Sequence, residues 1–362
     1  MKNATRPALS WVDFLIAALV LVGFCLALEV GRGTVVNIDP ADVPDVDTDP
    51  AKLPYYAARS VLRMFLALAA SLVFTFVYAY AAARSRRLER VLIPALDVLQ
   101  SVPVLGFLSV CVTFFTGLFP GSLLGLECAV VFAIFTSQAW NMTFGFYTTL
   151  TTLPRELDEV SRSFGFTRWM RFWRVEVPAG MIDLVWNGMM SFAGGWFMLV
   201  ASEAVSISGH DYAVPGIGSY AGTAIGDGDL GRICWCILAM TLTIVGVNFL
   251  FWRPLTAWAE RFRNEQAEAA DSQRSYVLDF LHRSHWPALL ARWTQPARTA
   301  VSRAGRVLGR DDRPLQIDTA RRRTGDVVFA VATTALILWG LYYLWSYLRR
   351  EAGGPGILLE PL

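Results

Sequence analysis

Nine polar side chains lie in or beside long apolar runs of this 362-residue chain: Asp97, Gln100, Glu127, Gln138, Asn141, Asp183, Asn187, Glu203 and Asn248. Carboxylates and amides of this kind can bind and hand on a polar molecule by hydrogen bonding. They do not make a bond-breaking centre without a base or nucleophile beside them. The chain has no Gly-x4-Gly-Lys-[Ser/Thr] phosphate loop and no His-Glu-x2-His zinc pair, and its three histidines fall outside the apolar runs. A charge at the centre of a bilayer costs about 2.5–3.5 kcal/mol on insertion scales, so such groups are expected to face an interior or an interface. Glu127 and Asp183 stand near run ends and are expected at interfaces, solvated by water or headgroups. Gln100, Ser101, Gln138, Asn141 and Glu203 are the candidates to line a polar path. For each, interhelical hydrogen bonding is the competing role.

A second group of residues points outward. In residues 153–178, Pro154 suits a first helical turn, and Glu156, Asp158 and Glu159 complement the positive end of a helix dipole. Leu157, Val160 and Phe164 recur at helical spacing and make one short apolar face. Gly165 permits a turn that a Cβ would resist, and Thr167 can cap a second helix. In that helix Trp169, Phe172 and Trp173 form an apolar side, with Arg168, Arg171 and Arg174 on a basic one. Pro178 is expected to break the pattern before the next apolar run. Two short amphipathic helices joined by a glycine turn make a knob suited to a groove on a partner.

The elements that must carry these residues are membrane spans. Hydrophobic residues make up 54% of the chain and charged ones only 17%, too little charge to cover a soluble surface. Apolar runs long enough for a ~30 Å hydrocarbon core fall at about 11–30, 60–83, 91–119, 122–149, 180–206, 231–253 and 326–347. Pro103 and Gly106 are expected to kink the third. Asp39, Asp42, Asp45, Asp47 and Asp49 fill the first connection, whereas Arg84, Arg86, Arg87 and Arg90, then Arg155 to Arg174, and finally Arg321 to Arg323 follow the even-numbered runs. The positive-inside bias then puts the amino terminus and the basic loops in the cytoplasm and a glycine-rich 206–230 loop outside. Residues 276–293 read either as a helix on the membrane surface or as an irregular linker. The five cysteines all lie in or beside apolar runs, giving neither a disulfide framework nor a metal set. A net charge of +2 leaves no nucleic-acid footprint.

At Glu159-Val160-Ser161, Gly165 and Val175-Glu176-Val177-Pro178 the knob resembles the "EAA" loop of importer permeases in the ATP-binding-cassette superfamily, with both alanines and the Ile-x-Leu replaced. Leu99 to Phe107, and Glu203 followed by Gly216-Ile217-Gly218, resemble segments of the nitrate, sulfonate, taurine and bicarbonate group. The resemblance covers about residues 60–255 and implies an all-α six-helix permease bundle. It implies ATPase-coupling roles for Glu156, Glu159, Val160, Phe164, Gly165, Arg168 and Pro178. It also implies a separate ATPase dimer, a periplasmic solute-binding protein, a second permease half and a small polar solute, with no cofactor. Residues 1–59 would add the first span and acidic loop, 256–325 a cytoplasmic linker, and 326–362 a seventh span and tail. That last span is either the opening helix of a second half or an accessory helix. An ion-gradient-driven transporter and a non-transporting membrane scaffold are the competing functions.

Overall fold

The structure, a computed structural model, describes residues 46–207 and 210–262, together with Val331, Trp339 and Tyr342. The expected first span, the 276–293 segment and nearly all of 326–347 lie outside the described residues.

Asp49 accepts from Ala51 N at 3.0 Å, and the turn Pro50–Lys52 leads into α1, Leu53–Arg84. Its buried residues include Ser60, Ala67, Ser71, Thr75, Ala79 and Ala82, small side chains three to seven positions apart that let a neighbouring backbone come close. Apolar attraction is no drive between helices already in lipid, so such close packing and interhelical hydrogen bonds must hold them together. The neighbour is α4, Leu123–Thr152. Thr75 and Thr143 share a hydrogen bond at 3.1 Å across the seam, and Ser71 donates to Phe135 O at 3.4 Å.

The expected third span is corrected to two helices. Arg86–Ser101 (α2) and Val104–Leu118 (α3) are separated by Val102 and Pro103 in extended conformation. The residue before a proline is pushed out of the α region, and here it ends the helix rather than kinking it. At 1.5 Å per residue each piece is about 23–24 Å long, short of the hydrocarbon thickness.

After a basic loop, α8 (Met181–Glu203) returns along α4. The 206–230 connection is not a plain loop. Strands β1 (Ala204–Ile207) and β2 (His210–Ala213) pair antiparallel, with Ala204 opposite Ala213, and α9 (Ile217–Gly226) follows. Asp229 then caps α10, Leu230–Val247, which continues through a π-helical turn, Asn248–Trp252, into α11, Arg253–Ala259.

Among the described residues four helical stretches are long and apolar enough to cross a bilayer: Pro50–Arg84, Leu123–Thr152, Met181–Glu203 and Leu230–Ala259. They match the runs expected at 60–83, 122–149, 180–206 and 231–253. The described membrane-crossing elements are all helical, as expected of a polytopic membrane protein. The main core joins Met64 and Leu68 of α1, Ile134 and Met142 of α4, and Phe192 and Leu199 of α8. Trp252 of the π turn closes it, its ring 5.4 Å from that of Phe192. By contrast α10 buries only Cys236 and presents Trp235, Leu238, Leu242 and Val245 outward, a face that lipid can cover.

Candidate functional site

The knob is built as its residues require. Helix α5, Arg155–Ser163, carries Glu156 and Asp158 in its first turn. It stops at Gly165, whose φ of 64° lies in the left-handed region, while Phe166 N–H reaches back to Ser161 O at 3.0 Å. That six-to-one bond with a left-handed glycine is a Schellman ending. Thr167 then accepts from Met170 N at 3.3 Å and starts α6, Arg168–Arg171.

Pro178 does not break the chain. It sits in the first turn of α7, Val177–Ala179, and the break comes at Gly180. A π-helical turn, Phe172–Glu176, precedes it. The same arrangement recurs at Asn248–Trp252 before Pro254. A proline ring clashes with the carbonyl four residues back and offers no N–H. Widening the turn just before it is one way a helix can pass through.

Leu157, Val160 and Phe164 are 39%, 49% and 73% exposed, so α5 turns its apolar residues away from the bundle. Glu156, Glu159 and Arg168 are exposed beside them. On the inner side, Phe172 packs between Tyr80 and Phe146, with ring centres 5.2 and 6.2 Å away. Arg171 does not join an outward basic side. It pairs with Asp158 of α5, and its Nε stands 2.8 Å from Glu176 Oε1. Arg84, the last residue of α1, pairs with the same Glu176. Burial first, and then the neighbouring Arg84 guanidinium, pull Arg171 below the ordinary arginine value.

At the opposite end of the bundle lies a second ionic cluster, and it corrects the interface role expected for Glu127. That carboxylate is buried, 5% exposed, and pairs with Arg59 and Arg63 of α1. Arg63 approaches Glu127 Oε2 at 2.5 Å through Nε and Oε1 at 2.7 Å through Nη2. It also donates to Glu203 Oε1 at 2.5 Å and to Pro215 O at 3.0 Å. Glu203 accepts further from Ser60 Oγ at 2.6 Å and from Gly218 N at 2.7 Å, while Ser60 Oγ takes Ile217 N–H at 3.0 Å. A carboxylate from α8 and a hydroxyl from α1 thus satisfy the first free N–H groups of α9, where the helix dipole favours negative charge. A Cβ on Gly216 would strike the Glu203 carboxylate, and one on Gly218 would stand 2.7 Å from Val200 O. The Glu203 and Gly-Ile-Gly spacing is therefore a close-contact requirement. Two arginines and two glutamates balance in charge.

The sequence reading missed Arg59 and Arg63. Their spacing of four on a helix was the available signal, since two cations on one face of an apolar run need anions opposite.

The five path candidates do not converge. Gln100 and Ser101 are exposed at the end of α2, where they bond to Asp97 at 3.2 and 2.8 Å. Gln138 is fully buried between α4 and α8, and among the described residues neither amide atom has a hydrogen-bond partner. Asn141 faces outward from α4, and Glu203 belongs to the ionic cluster. Asp183 is exposed at the start of α8 and accepts from Thr149 Oγ1 at 2.6 Å. A cavity of about 590 Å³ between α1, α3 and α4, with Leu62, Leu66, Phe115 and Phe132 in its walls, touches none of the five candidates.

Comparison with known proteins adds two findings. The family described as binding-protein-dependent transport system inner membrane component matches residues 71–263. The glycine betaine/carnitine transport permease protein GbuB of Listeria monocytogenes serotype 1/2a (strain 10403S) is 30% identical over 151 residues, 41% of this chain and 48% of that protein. The chain spans about half the length of that curated relative.

Proposed function

This chain belongs to the binding-protein-dependent transport system inner membrane component family, and from that premise we propose that it is the permease subunit of an ATP-driven importer whose helix α5 docks on a separate ATPase. The observation that carries the docking role is the outward apolar face Leu157, Val160 and Phe164 on a projecting helix with a fixed glycine ending. Glu156 and Glu159 flank that face, and Arg168 and Pro178 belong to the short helices that return the chain to the bundle. On this reading the knob end is cytoplasmic, the end holding Arg63 and Glu203 faces outside, and the amino terminus is inside. A second permease half completes the path, and a periplasmic binding protein delivers the solute. Closure of the ATPase pair would push on the knobs and switch the path between faces.

The nitrate, sulfonate, taurine and bicarbonate subgroup gains no support from the relative, whose name gives glycine betaine and carnitine. We take the solute to be a small polar molecule and place quaternary ammonium compounds first among those to assay.

The test is reconstitution in proteoliposomes of the full chain with candidate ATPase and binding-protein partners from the same genome. Glycine betaine, carnitine, taurine and nitrate are offered in turn. Solute-stimulated ATP hydrolysis with uptake is expected. Uptake that follows an ion gradient and ignores ATP would replace this reading with secondary transport. Neither activity, with the ATPase unbound, would leave a scaffold.

A further inference from the structure

Beside the aromatic packing of Phe172 against Tyr80 and Phe146, the knob meets the bundle through a buried carboxylate. Glu176 is 2% exposed and faces two cations from different elements, Arg84 at the end of α1 and Arg171 at the end of α6. Arg171 in turn holds Asp158 on α5. Four charges of alternating sign therefore run from α1 to α5: Arg84, Glu176, Arg171, Asp158. Leu157 and Val160 of α5 face away from the bundle, so this ionic run links α5 to it on the opposite side. The Arg171 contact with Glu176 is a single charge contact, Nε to Oε1 at 2.8 Å. Among the described residues, Glu176 Oε2 in the same buried place accepts from no donor. A small rotation of Arg171 can exchange one oxygen for the other without losing the ionic link. Coulombic attraction tolerates such turning better than a bidentate pair does.

We propose that Glu176 is a positioning residue that ties the knob to α1 by bridging Arg84 and Arg171. A push on α5 is then delivered to the cytoplasmic end of α1 instead of being absorbed by the loop. The proposal rests on the docking reading of the knob for its use in transport, while the tether itself is a property of this chain alone. α1 is the right recipient. It is 32 residues long, about 48 Å at 1.5 Å per residue, and its other end carries Arg59 and Arg63.

The experiment uses the full chain in lipid nanodiscs, with the native cysteines replaced and spin labels at Phe164→Cys on the knob and Val77→Cys on α1. Both sites are well exposed. Electron–electron resonance should give one narrow distance distribution. Glu176→Gln leaves two neighbouring guanidinium groups without their shared anion, and loss of the single narrow peak is expected. Arg84→Gln should do the same, Arg84→Lys should restore it, and the double Gln variant should be no broader than Glu176→Gln alone. A narrow peak retained in both Gln variants, with tryptophan fluorescence showing the folded protein, overturns the proposal. If Glu176→Gln does not fold, Arg84→Gln decides, because that side chain is 38% exposed and its loss leaves no buried gap. Failure of the docking reading shows separately, as wild-type protein that does not retain the ATPase on purification.

Discussion

Replacing Arg63 with methionine tests the ionic cluster most directly. The side chain is 2% exposed and links three helices, reaching Glu127 on α4, Glu203 on α8 and the Pro215 carbonyl that precedes α9. Methionine fills much of the volume, so the loss is mainly electrostatic. The cluster goes from two cations and two anions to one cation and two anions, leaving a net buried charge of −1. Removing one partner of a buried pair typically costs about 3–5 kcal/mol, because the other charge is left uncompensated. Ordinary polar contacts between membrane helices average only ~0.6 kcal/mol, so the two cases are well separated. An unfolding equilibrium should move by roughly two to four powers of ten. The assay is reversible unfolding in mixed detergent micelles followed by tryptophan fluorescence. A second variant, Arg63→Met with Glu203→Gln, removes one charge of each sign and should be less destabilised than the sum of its parts. A loss below ~1 kcal/mol for Arg63→Met, or strict additivity in the pair, would refute the argument.

Three further outcomes follow from the geometry. Gly218→Ala places a methyl 2.7 Å from Val200 O and 2.9 Å from Glu203 Cβ, so a loss of about 1–3 kcal/mol is expected, read in the same unfolding assay. Gly165→Val forces a β-branched residue to a φ of 64°; insertion should survive, while solute-stimulated ATPase activity falls and limited proteolysis in the knob quickens. Phe164→Cys, 73% exposed, should react with an impermeant thiol reagent in inverted vesicles but not in intact cells, in a background without the native cysteines. Labelling from intact cells would reverse the assigned orientation.

Local chemistry was legible in the sequence. The Gly165 turn, the Thr167 cap and four apolar spans follow from residue type and spacing, because each depends on neighbours in the chain. Contacts across the bundle were not. Glu127 looks like a run-end carboxylate until Arg59 and Arg63 are placed beside it from 64 and more positions away. The break at Val102 and Pro103 was read as a kink, since a proline in an apolar run gives the position of a disturbance and not its size. Glu203 and Gln138 looked alike as polar residues in spans. Only packing separates the first, saturated with donors, from the second, which has no hydrogen-bond partner among the described residues.

The cluster around Arg63 also bears on how the protein is made. α1 is synthesised with Arg59 and Arg63 on one face, before the two glutamates that pair with them in the folded protein. At insertion-scale values they would cost at most about 5–7 kcal/mol together, less for their place near one helix end. Glu127 follows Arg63 by 64 residues and Glu203 by 140. At ~5–20 residues per second the first anion arrives roughly 3–13 s later and the second roughly 7–28 s later. During that interval α1 is a poorly satisfied guest in lipid. Holding α1 at the insertion machinery or near the headgroups until α4, and then α8, arrives would avoid that cost, so the order of helix release would matter to assembly of the cluster.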